Sequence, residues 1–368
     1  MWIKMYYKGV GFILLAFLTL ACGQQDQASS FRVRGHLEGL DARAVYLGYP
    51  GRTDTCIAEN GIFEFKGTLT EPCIARIRVR GADASREFYL ENSNINIQGY
   101  IDSMDRVLVT GSKTESGKIK FEESRIQLDK KYELTAMEVE YNSATEERQE
   151  ELDRKYEDYE YEVVNLQRQF IRENPGSFLS VFFLWEMDWS FESAAEFREY
   201  IDLLDSSLQG YGSVKDLKEI VARMEKVEIG QIAPDFEMND IDGTPRRLSD
   251  FYSRSDYLLL DFWASTCGPC RVENANIRRA YDMYLDKGFD IVSVSTDMKK
   301  EPWLKAIEKD GLIWTNVCEI IKWGDNEIVK TYALRQVSQN FLLDHTGKII
   351  AKDLRGEDLM AKLGELMD

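Results

Sequence analysis

Tyr257-Leu258-Leu259-Leu260-Asp261-Phe262-Trp263-Ala264-Ser265-Thr266-Cys267-Gly268-Pro269-Cys270 is the stretch that decides the fold of this chain. Its first half is a continuous apolar run, as a central strand buried on both faces needs. Its second half carries two cysteines separated by two residues at a helix start. A Cys-x-x-Cys placed between a buried strand and a helix is a redox device. The first turn of a helix leaves backbone N–H groups unpaired and points the positive end of the helix dipole at the first sulfur. That environment favours thiolate over thiol, and the thiolate is the attacking species. Cys267 is therefore expected to be the exposed nucleophile and Cys270 the more buried resolving thiol.

The pattern around this stretch is α/β. Upstream, Gly230-Gln231-Ile232-Ala233-Pro234-Asp235-Phe236 opens a unit, and Asp242-Gly243-Thr244 reads as a hairpin turn. Downstream, residues 289–295 read as a second buried strand. Helices are expected near 301–309 and 325–332. Strands at 340–343 and 349–353 flank the turn His345-Thr346-Gly347, and a helix from 357 ends the chain.

At this point a resemblance becomes specific. Ala233-Pro234-Asp235-Phe236, the run from Asp261 to Cys270 with Arg271, Glu273, and Phe341-Leu342-Leu343-Asp344 with Gly347-Lys348 make residues 229–368 resemble a TlpA/ResA-type extracytoplasmic thioredoxin. The resemblance implies a thioredoxin fold and thiol–disulfide exchange without a cofactor. It implies that Cys267 attacks a substrate disulfide and Cys270 resolves the mixed disulfide. Asp261 matches the buried acid that takes a proton from the resolving thiol, and burial would raise its pKa toward the working range. An aspartate merely satisfied by hydrogen bonds at a strand end is the other reading. Trp263 matches the aromatic beside the site, with Gly268 and Pro269 as the spacer of a reducing thioredoxin. Glu273 matches a common acidic position on the active-site helix, where a solvated helix face reads equally well.

One position departs from that family. Its members carry a cis-proline in the loop facing the nucleophile. Here the loop reads Gln336-Val337-Ser338-Gln339, with Ser338 at the proline's place and no proline anywhere after Pro302. A cis bond at a serine would cost about 2.5–4 kcal/mol, so a trans, reshaped loop is expected. Ser338 brings an N–H and a hydroxyl to a loop that presents backbone groups to an incoming polypeptide. Altered substrate choice or turnover is the expectation. Ala275 also replaces a family proline. A peroxiredoxin reading fails, because Ala264 rather than threonine stands three residues before Cys267 and no proline stands seven before.

The N-terminus reads as a leader. Lys4 and Lys8 precede an apolar run over 9–21, too short for a good membrane span. It ends at Ala21-Cys22-Gly23, which resembles the lipobox of bacterial lipoproteins, with Thr19 where a leucine is usual. Lipidation at Cys22 is expected; a plain secretory signal and a retained anchor are the alternatives. Each places the remaining chain outside the cytoplasm, in a cell envelope and facing a periplasm. The formal charge of −18 argues against nucleic acid or an anionic membrane surface as partner. Of the remaining cysteines, Cys56 and Cys73 either pair or stay reduced, and Cys318 is expected to pack as a small apolar residue, a third redox thiol being the alternative. His36 and His345 lie at no ligand spacing from a cysteine, so no metal is expected.

With 368 residues, more than one domain is expected. After the leader (1–22) and a polar linker (23–30), residues 31–111 alternate in short strands, with an Asn60-Gly61 hairpin signal, as an all-β sandwich does. Residues 112–228 form an α-helical linker region, in which Tyr132, Met137, Tyr141, Tyr156, Tyr159, Val163 and Phe170 recur at helical spacing as core contacts. The architecture expected is thus β-sandwich, helical region and C-terminal thioredoxin domain over 229–368. The function expected is reduction of protein disulfides with electrons from a membrane thiol donor. Cytochrome c maturation and disulfide repair are both roles of the family. A non-enzymatic envelope binding protein with a degenerate redoxin is the alternative.

Overall fold

The computed structural model describes residues 29–368. The leader and the lipidation site Cys22 lie outside the described residues. The chain divides into two compact units. One ends at Phe183 and takes in Leu204–Gly212. The other comprises Leu184–Leu203 and Ser213–Asp368.

The first unit begins with eight strands: β1 (Phe31–Glu38), β2 (Ala44–Tyr49), β3 (Arg52–Ile57), β4 (Ile62–Gly67), β5 (Cys73–Val79), β6 (Ser85–Leu90), β7 (Asn94–Tyr100) and β8 (Leu108–Thr110). They form two four-stranded sheets, in the orders β4-β1-β7-β8 and β3-β2-β5-β6. Alternation along each strand sends one set of side chains inward. Val33, Leu37, Val45, Leu47, Ile77, Ile95 and Ile97 are fully buried in one apolar cluster. Gly35 is needed in β1 because the ring of its cross-strand partner Phe63 lies over it; a Cβ there would come within 1.8 Å of the ring.

Helices follow: α1 (Lys113–Tyr132), α2 (Leu134–Tyr141), α3 (Glu146–Glu173) and α4 (Phe178–Glu186). Ser112 caps α1 by accepting from the Glu115 N–H. The buried Glu115 carboxylate accepts from the Tyr89 N–H at 3.0 Å and from Arg86 at 2.9 Å, which fixes α1 to β6. Tyr159 donates to Asp129 at 2.7 Å, joining α3 to α1. Cys56 and Cys73 are free thiols. They sit on β3 and β5, which flank β2. The register puts Cys56 level with Val79 across Val45, six residues along β5 from Cys73, so the two thiols are roughly 20 Å apart, beyond the reach of a disulfide.

The second unit contains α5 (Ala194–Asp202), α6 (Gly212–Glu225), β9 (Glu237–Asn239), β10 (Pro245–Arg247), α7 (Leu248–Tyr252), β11 (Tyr257–Trp263), α8 (Gly268–Tyr284), β12 (Phe289–Ser295), α9 (Lys300–Asp310), β13 (Thr315–Cys318), α10 (Glu327–Thr331), β14 (Gln339–Asp344), β15 (Ile349–Lys352) and α11 (Gly356–Met367). Five strands form one sheet in the order β13-β12-β11-β14-β15, with β11 at its centre. β11, β12 and β13 run parallel, and β14 runs antiparallel to β11. Period-2 alternation divides β11 between two cores. Leu258, Leu260 and Phe262 pack with α7 and α10. Leu259 and Trp263 pack with α8, α9 and α11. Asp261 lies between those two residues in the alternation and so shares the α8 face. This is the thioredoxin-like α/β sandwich expected for the C-terminal region, following the β-rich and helical parts.

Candidate active site

The site begins where β11 ends. Cys267 is the N-cap of α8, and its sulfur accepts from the Cys270 N–H at 3.2 Å. The cap places Cys267 Sγ among the unpaired N–H groups at the positive end of the helix dipole, which stabilises a thiolate. Pro269 occupies the first turn, where its missing N–H costs nothing. Cys267 and Cys270 form a disulfide, with Cα atoms 5.3 Å apart. Cys267, half-buried, can be reached from solvent; Cys270 is 2% exposed and belongs to the core beneath α8. Gly268 and Pro269 are exposed beside them.

The turn leading to Cys267 is held from two sides. The buried Asp297 carboxylate accepts from the Ser265 N–H at 2.8 Å, from the Ser265 hydroxyl at 2.6 Å and from the Ser295 hydroxyl at 2.7 Å. Arg271, one residue past the dithiol, donates to the Ser265 carbonyl at 3.2 Å. Its guanidinium also makes a two-pronged pair with Asp310 at the end of α9. Asn274 donates to that carboxylate at 2.7 Å.

Asp261 is 5% exposed. Burial pushes its pKa up from 3.8 to about 7. The Ser293 hydroxyl, donating at 3.0 Å, pulls it down; the Glu273 carboxylate raises it further, and the Arg355 guanidinium lowers it. Ser293 in turn accepts from the Trp314 indole N–H at 2.8 Å. A carboxyl poised near neutral pH on the α8 face can exchange a proton at working pH. Trp263 is fully buried in the cluster that contains Cys270, so this aromatic supports the dithiol from below. Glu273 is half-buried rather than a solvated helix residue. It accepts from the Gly356 N–H at 2.8 Å and from Asn276 at 3.0 Å, and so caps α11.

The loop opposite is reshaped around Ser338. No peptide bond among the described residues is cis, and Ser338 takes φ +73°. A non-glycine residue in that left-handed region costs roughly 1–3 kcal/mol and persists only where its surroundings over-determine it. The Ser338 N–H donates to the Phe262 carbonyl at 2.9 Å, extending the β11–β14 ladder, and its carbonyl accepts from Arg355. The N–H that serine brings to this loop is thus spent inside the sheet. Val337, half-buried, packs against the cluster that holds Cys270.

Sequence reasoning missed Ser293, Trp314, Asp297 and Arg355. Two serines in an otherwise apolar buried strand, Ser293 and Ser295, were the available signal for the first group; nothing local marked Arg355. Burial pushes the Cys73 thiol up to about 11 and raises that of Cys318, which keeps both protonated and poorly nucleophilic. Among the described residues, no group of three or more His, Cys, Asp or Glu side chains could hold a metal ion.

The fold and the site define a thioredoxin-fold thiol–disulfide oxidoreductase, and comparison with known proteins narrows that class. The AhpC/TSA family matches residues 229–352, and a domain of unknown function (DUF4369) matches 31–116. The thiol–disulfide oxidoreductase ResA of Bacillus cereus is 31% identical over 149 residues, 40% of this chain and 80% of its own. ResA of Bacillus thuringiensis is 32% identical over 146 residues, 39% of this chain and 79% of its own. Among solved structures, the thioredoxin domain of a Bacteroides vulgatus thiol–disulfide oxidoreductase is 35% identical, covers 39% of this chain and 99% of that one, and has a TM-score of 0.36. The chain belongs to the ResA family of thiol–disulfide oxidoreductases.

Proposed function

We propose that this protein reduces disulfides of polypeptide substrates outside the cytoplasm, through Cys267 and Cys270. The observation that carries the reading is the unequal pair of sulfurs: Cys267 half-exposed as the cap of α8, Cys270 buried beneath it. In the reduced site, the Cys267 thiolate attacks one sulfur of the substrate disulfide. A mixed disulfide forms and the other substrate sulfur leaves as a thiolate. Cys270 then gives up its proton, with Asp261 as the acceptor on the α8 face. Its sulfur attacks Cys267 Sγ, closing the Cys267–Cys270 disulfide and releasing the second substrate thiolate. One substrate disulfide has gained two electrons and the dithiol has lost two. Return to the dithiol needs an external thiol donor, which an extracytoplasmic site must draw from the membrane.

Glu273 keeps its place here as a supporting group through the α11 cap, while Trp263, Gly268 and Pro269 shape the dithiol turn. Val337 and Ser338 form the wall against which a substrate lies. Lipid at Cys22 would tether the chain to the envelope, the periplasmic face being the one the leader implies. No described helix is long and apolar enough to cross a membrane. Residues 229–368 carry the redox work, with 31–111 as a binding or spacer module and 112–228 as the helical connection. Cytochrome c maturation and general disulfide repair remain two destinations for the same chemistry.

The Cys270→Ser variant tests the reading, because it stops the cycle at the mixed disulfide. Envelope proteins should accumulate in covalent adducts through Cys267 that dissolve on reduction. Absence of adducts, together with a wild-type dithiol that fails to reduce a small disulfide, would favour the non-enzymatic binding protein instead.

A further inference from the structure

The loop facing the dithiol lacks the proline that holds it in relatives, yet Ser338 is buried and kept in a left-handed conformation. Two elements converge to hold it. From β11, the Phe262 carbonyl takes the Ser338 N–H at 2.9 Å. From the segment joining β15 to α11, Arg355 donates to the Ser338 carbonyl. The backbone on both sides of Arg355 is itself fixed. Leu354 and Asn340 exchange two hydrogen bonds, at 3.0 Å and 2.7 Å, and the Asp353 N–H donates to the Asn340 carbonyl at 2.9 Å. On the other side, Glu273 of α8 takes the Gly356 N–H at 2.8 Å. Arg355 is thus delivered to Ser338 from a bracket anchored on β14 and on the helix that carries the dithiol.

We propose that Arg355 is a positioning residue for substrate recognition: by taking the Ser338 carbonyl it sets the geometry of the loop at 336–339 against which a polypeptide disulfide docks. The mechanical reason is that a left-handed serine relaxes toward an extended conformation once its partners are lost. With only the Phe262 bond left, the peptide after Ser338 can rotate and Val337 shifts with it. This also gives Glu273 a task other than solvation: it holds the residue next to Arg355 in register with α8. The Arg355 side chain is exposed, so shortening it removes no core contact.

The inference rests on Cys267 and Cys270 being the reacting pair, and the experiment separates the two claims. The full chain is assayed for reduction of an unfolded polypeptide disulfide and of a small aromatic disulfide, which is too small to span the loop. In Arg355→Met, kcat/KM for the polypeptide relative to the small disulfide should fall about tenfold, the size of one lost charge-assisted hydrogen bond, with the change in KM. Amide hydrogen exchange at 336–339 should quicken. Arg355→Lys, which keeps a charged donor on a shorter stem, should recover part of the ratio. A ratio unchanged in Arg355→Met, or one that falls equally in Arg355→Lys and Arg355→Met while the loop amides exchange as in wild type, overturns the proposal. A wild-type chain inert toward both disulfides would instead overturn the redox reading beneath it.

Discussion

At the scale of one residue, Asp261 couples the chemistry to stability. Its folded pKa is about 7 against an ordinary 3.8, chiefly because burial disfavours the carboxylate. The folded chain therefore holds this proton more tightly than the unfolded chain. The group's contribution to stability is complete below pH 3.8, declines as pH rises, and is gone above about pH 7. With three pKa units between the states, the penalty on the alkaline side is on the order of 4 kcal/mol. Asp261→Asn keeps an oxygen for the Ser293 hydroxyl and never ionises. Above pH 7 it should unfold at higher denaturant concentration than wild type, and its stability should no longer fall between pH 4 and pH 7 beyond what other groups cause. Resolution of the mixed disulfide should slow in the same variant. Denaturant titrations across that pH range check the first expectation. A slope identical to wild type would place the perturbed proton elsewhere.

At the scale of elements, the turn between β11 and α8 is a rigid mount. Asp297, just beyond β12, receives three hydrogen bonds from Ser265 and Ser295, and Arg271 locks the same turn to α9. Asp297→Ala removes both acceptor oxygens from beside the turn. Both bonds to Ser265 are lost, and Cys267 loses a fixed position over the helix start. A fall of about tenfold in the rate of attack on a small disulfide is expected, since small misplacements of a reacting atom are costly. Stopped-flow measurement with the reduced variant reads it directly; a rate within twofold of wild type would show that α8 alone holds the sulfur. How much of this could be read from the sequence follows from range. The buried strand at 257–262, the helix behind Cys267 and the turn at 345–347 are local patterns of period and turn chemistry, and each stands where the sequence puts it. The strands of the sandwich at 31–111 were legible for the same reason. Ser338 was visible only as a missing proline. Its left-handed backbone depends on Arg355, seventeen positions away, and on Phe262 in a different strand. Glu273 matched an acidic position of the family and read equally well as a solvated helix face, because its acceptor role requires the N–H of Gly356. Partners brought together by tertiary structure leave no periodic trace.

At the scale of the whole molecule, the division into two compact units assigns Leu184–Leu203 to the unit that carries the dithiol. The reason lies in contacts internal to that unit. Arg335, three residues before Ser338, donates to the Phe191 carbonyl at 3.2 Å. Burial lowers its pKa while Asp188 and Asp353 oppose that fall, and burial raises the pKa of Asp188. The Ala194 N–H donates to Glu228 at 2.8 Å, and Phe191, Phe197, Tyr200 and Ile201 are buried. A thioredoxin domain cut at 229 leaves Arg335 without Phe191 and Asp188, directly upstream of the loop that faces the dithiol. With Asp353 still facing the guanidinium, loss of the charged carbonyl bond and of Asp188 together costs about 3 kcal/mol. In a domain of this size that corresponds to a melting temperature lower by roughly 10 °C. Fragments 184–368 and 229–368 should therefore both fold, with the shorter one melting earlier and showing faster hydrogen exchange at 335–339. Removing the charge in both fragments is the sharper comparison. Arg335→Met should lower the melting temperature of 184–368 more than that of 229–368, because both fragments keep Asp353 near that charge and only the longer one adds the Phe191 carbonyl and Asp188. Equal shifts in both fragments would mean that Arg335 acts through the thioredoxin fold alone, and that Leu184–Leu203 contributes nothing to it.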